Sequence, residues 1–288
     1  MNGRLITLEQ IVSQTADLPS IPAAAIRVMR ETQRAEASAA TVAEHLATDQ
    51  ALSVRVLRLA NSPFYGLSRR VGNLSEAVVV LGMRSVKNLA LVASTYPWMT
   101  RPLPGYSLGP NEMWRHAFAT AVGAQQIATI SRKVKDDVAF TAGLLHDIGK
   151  VALSVWIDNK IQAIAFYSQR EGIPFDEAER KVLGYDHTQV GEHLAKAWNL
   201  PEEICEVVRF HHQPKMAPSG SPLVDCVHVG DYLAMSMGFG LGGDGLQYAL
   251  ESSSMDRLGI KFEDIDEISD AFLESYERYE TMFSDVAA

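Results

Sequence analysis

An all-α fold is predicted by three observations: apolar residues recur at helical spacing along nearly every segment, strand-type alternation is almost absent, and Pro, Gly and Asn punctuate the periodic stretches where helices start and stop. In the first hundred residues, Val42, Leu46, Leu52, Val56 and Leu59 mark two helices between Thr41 and Ala60, broken near Thr48-Asp49-Gln50, where a turn and a new N-cap fit. Leu74, Val78 and Leu81 carry the pattern to Gly82, read as a C-cap. Ser85 opens a helix running towards Thr95, and Pro97 is expected to end it.

Arg101 to Pro110 holds three prolines and two glycines, a composition suited to an extended connection. The chain is therefore divided there, into an N-terminal helical bundle over 1–100 that packs on a second bundle over 101–288, the latter ending in a C-terminal helical extension. Helices are expected in the second part at about 111–131, 136–153, 157–171, 175–183, 187–198, 201–212, 222–237 and 262–282. The run Gly238 to Gly245 resembles a phosphate-cradling loop only superficially. It follows a predicted helix instead of a strand, so it reads as a flexible connector.

Composition bounds the function. With 288 residues, 47% of them hydrophobic and 21% charged, the chain has the make-up of a globular protein. No uninterrupted apolar run approaches the roughly 20 residues of a membrane span, and the N-terminal Met1-Asn2-Gly3-Arg4-Leu5 is followed by Glu9 and Gln10 instead of a signal-peptide core. A cytoplasmic protein without membrane contact is expected. Cys205 and Cys226 lie in apolar helical patterns and read as reduced core residues. A net charge of -9 argues against a broad nucleic-acid surface, although Arg69-Arg70, with Arg84 and Lys87 nearby, form a local basic patch that reads as a solvated loop and helix start.

The candidate chemistry lies in the second part. His146-Asp147 sits among apolar residues, where a charge must be paired or must hold a metal. His116 lies upstream on a core-facing helical stripe, with Glu112 one turn before it on the same face. His187, the pair His211-His212 and Asp231 follow downstream, and Gly191 leaves space one turn beyond His187. Adjacent helical residues diverge by about 100°, so His211 and His212 can share a site only if their helix ends there, as Pro214 suggests. Five imidazoles and two carboxylates exceed the needs of one ion. Two divalent transition-metal ions bridged by Asp147 would use them all; iron or manganese fit the donor set, as do zinc or nickel. Lys150, one turn beyond the pair, could hold a phosphate oxygen.

The order H, HD followed by Gly-Lys, H, HH, D resembles the HD superfamily of metal-dependent phosphohydrolases, and within it the HD-GYP phosphodiesterases, in some of which the position of Glu112 is an additional ligand. The whole chain is more similar to the HDOD family, the HD-related output domains of bacterial signalling. The matching elements are Leu18-Pro19-Ser20-Ile21-Pro22, Asp49 to Arg58 with Ala60-Asn61-Ser62, Ala77 with Leu81-Gly82, Leu144 to Lys150, Asp186-His187 with Gly191, Trp198-Asn199-Leu200-Pro201 and His211-His212, together covering about residues 5–237. The HDOD resemblance implies a regulatory module acting through signalling partners, with the metal ligands His116, His146, Asp147, His187, His211, His212, Asp231 and Glu112 retained. The alternative is a phosphohydrolase of nucleotides or cyclic dinucleotides, with Asp147 and Lys150 in catalytic roles. Gln213-Pro214-Lys215-Met216 stands where an HD-GYP enzyme would have its Gly-Tyr-Pro motif, which weighs against cyclic-di-GMP hydrolysis.

Other histidines take plainer roles. His45 is read as surface or packing, His193 as facing away from the site, and His228 as core, with a supporting bond to the site as the alternative. Tyr96, Trp98, Trp114, Trp156, Phe166, Tyr167 and Trp198 read as core or domain contacts. Asn61 reads as a helix-end residue bonding backbone groups, with an interface role as its rival.

Overall fold

The computed structural model describes residues 21–157, 160–218, 220–244 and 248–287. Leu18-Pro19-Ser20 and Gly245 lie outside them. The described residues are helical, with no strand beyond an isolated Leu103–Leu108 bridge. The described residues divide into two compact units, 21–98 with 270–287, and 99–269. The segment from residue 270 onward thus groups with the first unit, whereas the sequence assigned it to the second part.

The first unit contains α1 (Ala23–Glu31), α2 (Ala39–Ala47), α3 (Gln50–Ala60), α4 (Leu74–Leu81) and most of α5 (Met83–Met99). Side chains of Ser38, Asp49 and Asn73 accept the N–H of Thr41, Leu52 and Glu76, so α2, α3 and α4 each start on a capping residue. Asn61 ends α3: its amide donates to the Leu57 and Val71 carbonyls, and its oxygen accepts the Val71 N–H. Contrary to expectation, α5 runs past Pro97 to Met99. Proline cannot bond the Ala93 carbonyl one turn back, but Arg55 Nη1 donates to that oxygen at 3.3 Å, which lowers the cost of the missing bond.

The second unit holds α6 (Glu112–Ser131), α7 (Asp136–Leu145), α8 (Ile148–Ile157), α9 (Ile161–Glu171), α10 (Phe175–Leu183), α11 (His187–Ala197), α12 (Glu202–Phe210), α13 (Pro222–Ser236), α14 (Ser252–Leu258) and the start of α15 (Ile265–Ala287). Helix α6 packs on α7 and α13, while α11 packs on α8 and α12. Glycines set both spacings. Gly123 faces Gly230 across α6 and α13, and a Cβ on Gly149 would lie 1.8 Å from the His187 carbonyl oxygen, so α8 and α11 touch backbone to backbone. The stretch 136–157 is apolar and long enough to cross a membrane, with mean hydropathy 1.3, but 89% of it is buried inside the protein. Cys205 and Cys226 are buried and unpaired as a disulfide. Phe166 and Tyr167 are exposed, contrary to a core reading, and each lies beneath the Arg170 guanidinium.

Candidate metal centre

The helix expected over 136–153 is broken at His146-Asp147, which form a turn between α7 and α8. The Lys150 N–H bonds the Asp147 carbonyl three residues back, tightening that turn. The break directs both side chains inwards. Asp186 caps α11 in a reciprocal box with Gln189 and so fixes where His187 leaves the helix. Helix α12 stops at Phe210, and His211 and His212 leave its end with their rings 4.0 Å apart.

Seven side chains converge: His116, His146, Asp147, His187, His211, His212 and Asp231, each between 0% and 5% exposed. They form two ligand groups, one of Asp147, His187, His211 and His212, the other of His116, His146 and Asp231. Asp147 touches both. Its Oδ1 lies 3.4 Å from His187 Nε2 and 3.5 Å from His211 Nε2, while its Oδ2 lies 3.5 Å from His116 Nε2 and 3.4 Å from His146 Nε2.

Four imidazoles are held in one orientation. Acceptors outside the cluster take the Nδ1–H of each: Phe239 O for His116 (3.2 Å), Gly143 O for His146 (2.7 Å), Glu179 Oε2 for His187 (2.6 Å), and Val207 and Val208 O for His211 (3.2 and 3.1 Å). Each Nε2 is therefore turned towards the carboxylates, which is how protein metal ligands are oriented, and His116 and His187 offer a lone pair there once they give up the proton they hold in the protein alone. His212 differs: its ring stacks on Tyr248 with centroids 3.8 Å apart, and its Nε2 lies 3.1 Å from His187 Nε2.

The buried polar atoms test whether this set suits an ion. His146 Nε2, Asp147 Oδ1, His211 Nε2 and His212 Nδ1 make no hydrogen bond, whereas Asp147 Oδ2 meets Lys150 at 2.7 Å and Asp231 Oδ1 meets His116 at 3.1 Å. Unsatisfied buried groups cost about 1–3 kcal/mol each, so four in one cluster would be a heavy burden without an ion to bind them. The set fits a divalent transition metal. Imidazole and carboxylate donors without thiolate suit iron, manganese, zinc or nickel equally on chemical grounds.

Charge in the protein alone follows the same geometry. Burial disfavours a charged His116, but its hydrogen bonds to Asp147 and Asp231 outweigh this and hold it up at about 10. Burial likewise opposes charge on His187, and Glu179 then Asp147 reverse that to about 9. Burial works against ionising Asp147 and Asp231, yet both are held below the usual carboxylate range, the first by the Lys150 charge and the second by its hydrogen bond from His116. Burial pushes His211 and His212 down.

Two sequence candidates behave differently from the seven. Glu112 belongs to neither group: its carboxylate accepts the Gly109 N–H at the start of α6. Lys150 is 3% exposed and sits 2.7 Å from Asp147 Oδ2 and 2.6 Å from Asp244 Oδ2, so its charge is already matched by two carboxylates. Asp244 lies within the glycine run read as a flexible connector. That run instead packs on the centre: Phe239 supplies the acceptor for His116, Gly240 abuts the His116 Cβ, and the Gly243 N–H bonds Tyr106 O at 2.7 Å. Glycine is required there because a Cβ at Gly240 would lie 2.5 Å from the Glu112 carbonyl.

Three further residues escaped sequence reasoning. Glu179, fully buried, accepts the N–H and Nδ1–H of His187 and, on its other oxygen, the Tyr106 O–H at 2.6 Å. Burial and the Glu179 charge keep the Tyr106 hydroxyl protonated, as donation requires. Tyr248 is the stacking partner of His212. The amphipathic pattern of Phe175 to Leu183 was the available signal for Glu179, since that residue falls on the buried face. His228 also braces the centre, with Nδ1–H donating to His211 O and Nε2 accepting the Glu251 N–H.

The second unit is thus helical and encloses a cluster of five histidines and two aspartates. The HDOD domain family matches residues 18–214, more than half of the chain, and the chain belongs to that family. An uncharacterised protein of Treponema pallidum (strain Nichols) is 26% identical over 223 residues, spanning 75% of this chain. The chain covers only 42% of that relative's length. An HDOD domain protein of unknown function from Geobacter sulfurreducens superimposes with a TM-score of 0.69 at 25% identity, over 93% of this chain and 97% of that one. A candidate phosphohydrolase from Shewanella amazonensis gives 0.67 at 24% identity, over 96% and 97% of the two chains, and shares the fold.

Proposed function

We propose that this chain is a cytoplasmic signal-transduction output module whose His/Asp centre holds two divalent transition-metal ions, iron or manganese foremost, as a structural element, and whose output passes through contacts with signalling proteins. The observation that carries this reading is Lys150: the lysine beside the centre is buried between Asp147 and Asp244, which already match its charge. The low exposure of the seven ligands supports it further, because a hydrolase needs a path for substrate to its ions.

A second reading, a metal-dependent phosphohydrolase acting on nucleotides or cyclic dinucleotides, draws on one feature, the placement of an Asp147 oxygen towards each ligand group. Paired metal ions supply such enzymes with a water of lowered pKa and stabilise attacking and leaving oxygens. Metal analysis and a phosphodiesterase screen separate the readings. About two ions per chain, lost in His146→Ala and Asp147→Ala, with no turnover, is the expected outcome. Fewer than about one ion after anaerobic addition of Fe(II) or Mn(II) would sink the metal centre. Metal-dependent hydrolysis abolished by both substitutions would replace the first reading with the second.

A further inference from the structure

The basic patch noted in the sequence finds a setting in the first unit. Residues 20–98 carry nine Lys and Arg against five Asp and Glu, and residues 270–288 of the same unit add one Arg and five Asp and Glu. Arg27 is committed to Thr48, Arg34 to Glu31, Arg55 to the Ala93 carbonyl and Arg69 to Glu76, and Arg30, Arg84, Lys87 and Arg278 also have partners. Arg58 and Arg70 have no side-chain partner among the described residues. Both line a hollow of about 390 Å³, together with Leu57, Asn61, Ser62 and Pro63.

Ser62 supplies the independent observation. It is 7% exposed, and its Oγ makes no hydrogen bond. A buried hydroxyl without a partner costs free energy and is otherwise rare in folded proteins. The carbonyls at the end of α3 do not explain it, because the N–H groups of Asn61 and Ser62 already bond those of Leu57, Arg58 and Leu59. Those bonds also blunt the negative end of the helix, which would otherwise repel an anion. Arg58 borders a second, adjoining hollow of about 260 Å³, lined by Leu59, Val92, Tyr96 and Pro97. One guanidinium therefore stands between a polar recess and an apolar one containing an aromatic ring.

We infer that these paired hollows form a binding site for a phosphate-bearing small molecule of the mononucleotide class. Its phosphate sits between Arg58, Arg70 and the Ser62 hydroxyl, and its flat ring lies in the recess beside Tyr96. The volumes suit such a ligand, and Arg offers phosphate the planar, multidentate recognition that Lys does not. The site is independent of the metal centre: all its residues belong to the first unit, and its test does not depend on whether the centre binds metal.

Isothermal titration of the full chain with AMP, GMP and inorganic phosphate tests the site. The expected result is saturable nucleotide binding, tighter than that of phosphate alone. It should weaken about tenfold in Arg58→Gln and more in the double variant with Arg70→Gln, since a charge-assisted hydrogen bond contributes enough for that. Asp147→Asn should bind like the parent. Ser62→Ala keeps the test open if a variant unfolds: losing an unpartnered hydroxyl should leave the melting temperature unchanged or raised while nucleotide affinity falls. Absence of saturable binding up to about 10 mM, well beyond millimolar affinities, would overturn the inference. So would binding that survives the double arginine variant, or nucleotide binding no tighter than that of phosphate.

Discussion

Replacing Glu179 by Gln removes one charge and almost no volume, and its effect on metal affinity should depend on pH in a particular way. Glu179 acts on His187 in two opposing senses. It accepts the Nδ1–H at 2.6 Å, which orients the ring and makes Nε2 a better ligand. It also raises the His187 pKa to about 9, so an ion arriving at pH 7 must displace a proton. Two pH units of proton competition cost about 2.7 kcal/mol. The charge-assisted bond contributes about 1.5–3 kcal/mol in the opposite direction. At pH 7 the two effects nearly cancel in Glu179→Gln, and affinity should stay within a few-fold of the parent. Near pH 9.5 His187 is largely neutral in both proteins, competition no longer separates them, and only the lost bond remains. Affinity should then fall about 10–100-fold. Competition against a chelator-buffered series of Mn(II) or Zn(II) at the two pH values measures the ratio. A ratio that does not change between them, or full affinity at pH 9.5, would refute the reasoning.

Metal uptake near pH 7.5 should release protons, because His116 and His187 hold theirs up to about 10 and 9 in the protein alone; titration heats that are the same in buffers of different ionisation enthalpy would contradict this. Asp147→Asn should lower the content of both ions and Asp231→Asn chiefly that of one, since Asp147 lies 3.4 to 3.5 Å from two nitrogens of each group, whereas Asp231 meets His116 at 3.1 Å and the other group only through His212 Nδ1 at 3.7 Å; elemental analysis showing equal losses would remove Asp147 from the bridging position. Gly149→Ala places a methyl 1.8 Å from the His187 carbonyl, so the α8–α11 contact must open, at a cost of about 3 kcal/mol or more. The melting temperature should drop by roughly 6–12 °C, and an unchanged one would mean that the two helices are not in backbone contact.

His228 links the fold to pH as well. Burial lowers its pKa below 6.5, and its hydrogen bonds agree, because one nitrogen donates and the other accepts. Its contribution to stability is therefore present above pH 6.5 and lost as pH falls below that value towards its lower pKa in the folded protein. Denaturation midpoints at pH 7.5 and 5.5 should differ more in the parent than in His228→Gln, and equal differences would discount the residue.

The helical class, the positions of most helices and the seven converging ligand candidates were legible along the chain, because each depends on residue type at short spacing. Apolar periodicity marks a buried helical face wherever it occurs, and His and Asp advertise metal chemistry even before their geometry is known. The break at His146-Asp147 and the passage of α5 through Pro97 were not legible, since the first is a turn within an unbroken apolar pattern and the second depends on Arg55, 38 residues from the carbonyl it serves. The partners that govern the chemistry were hidden for the same reason. Tyr106 meets Glu179 across 73 residues and Lys150 meets Asp244 across 94, so local pattern carries no trace of either pairing. Lys150 looked like a free phosphate ligand and is instead neutralised, while a glycine run that looked like slack chain is packed against the centre. Local sequence sets what each side chain can do; whether its charge is free or already matched depends on which distant residue the fold brings within about 3 Å.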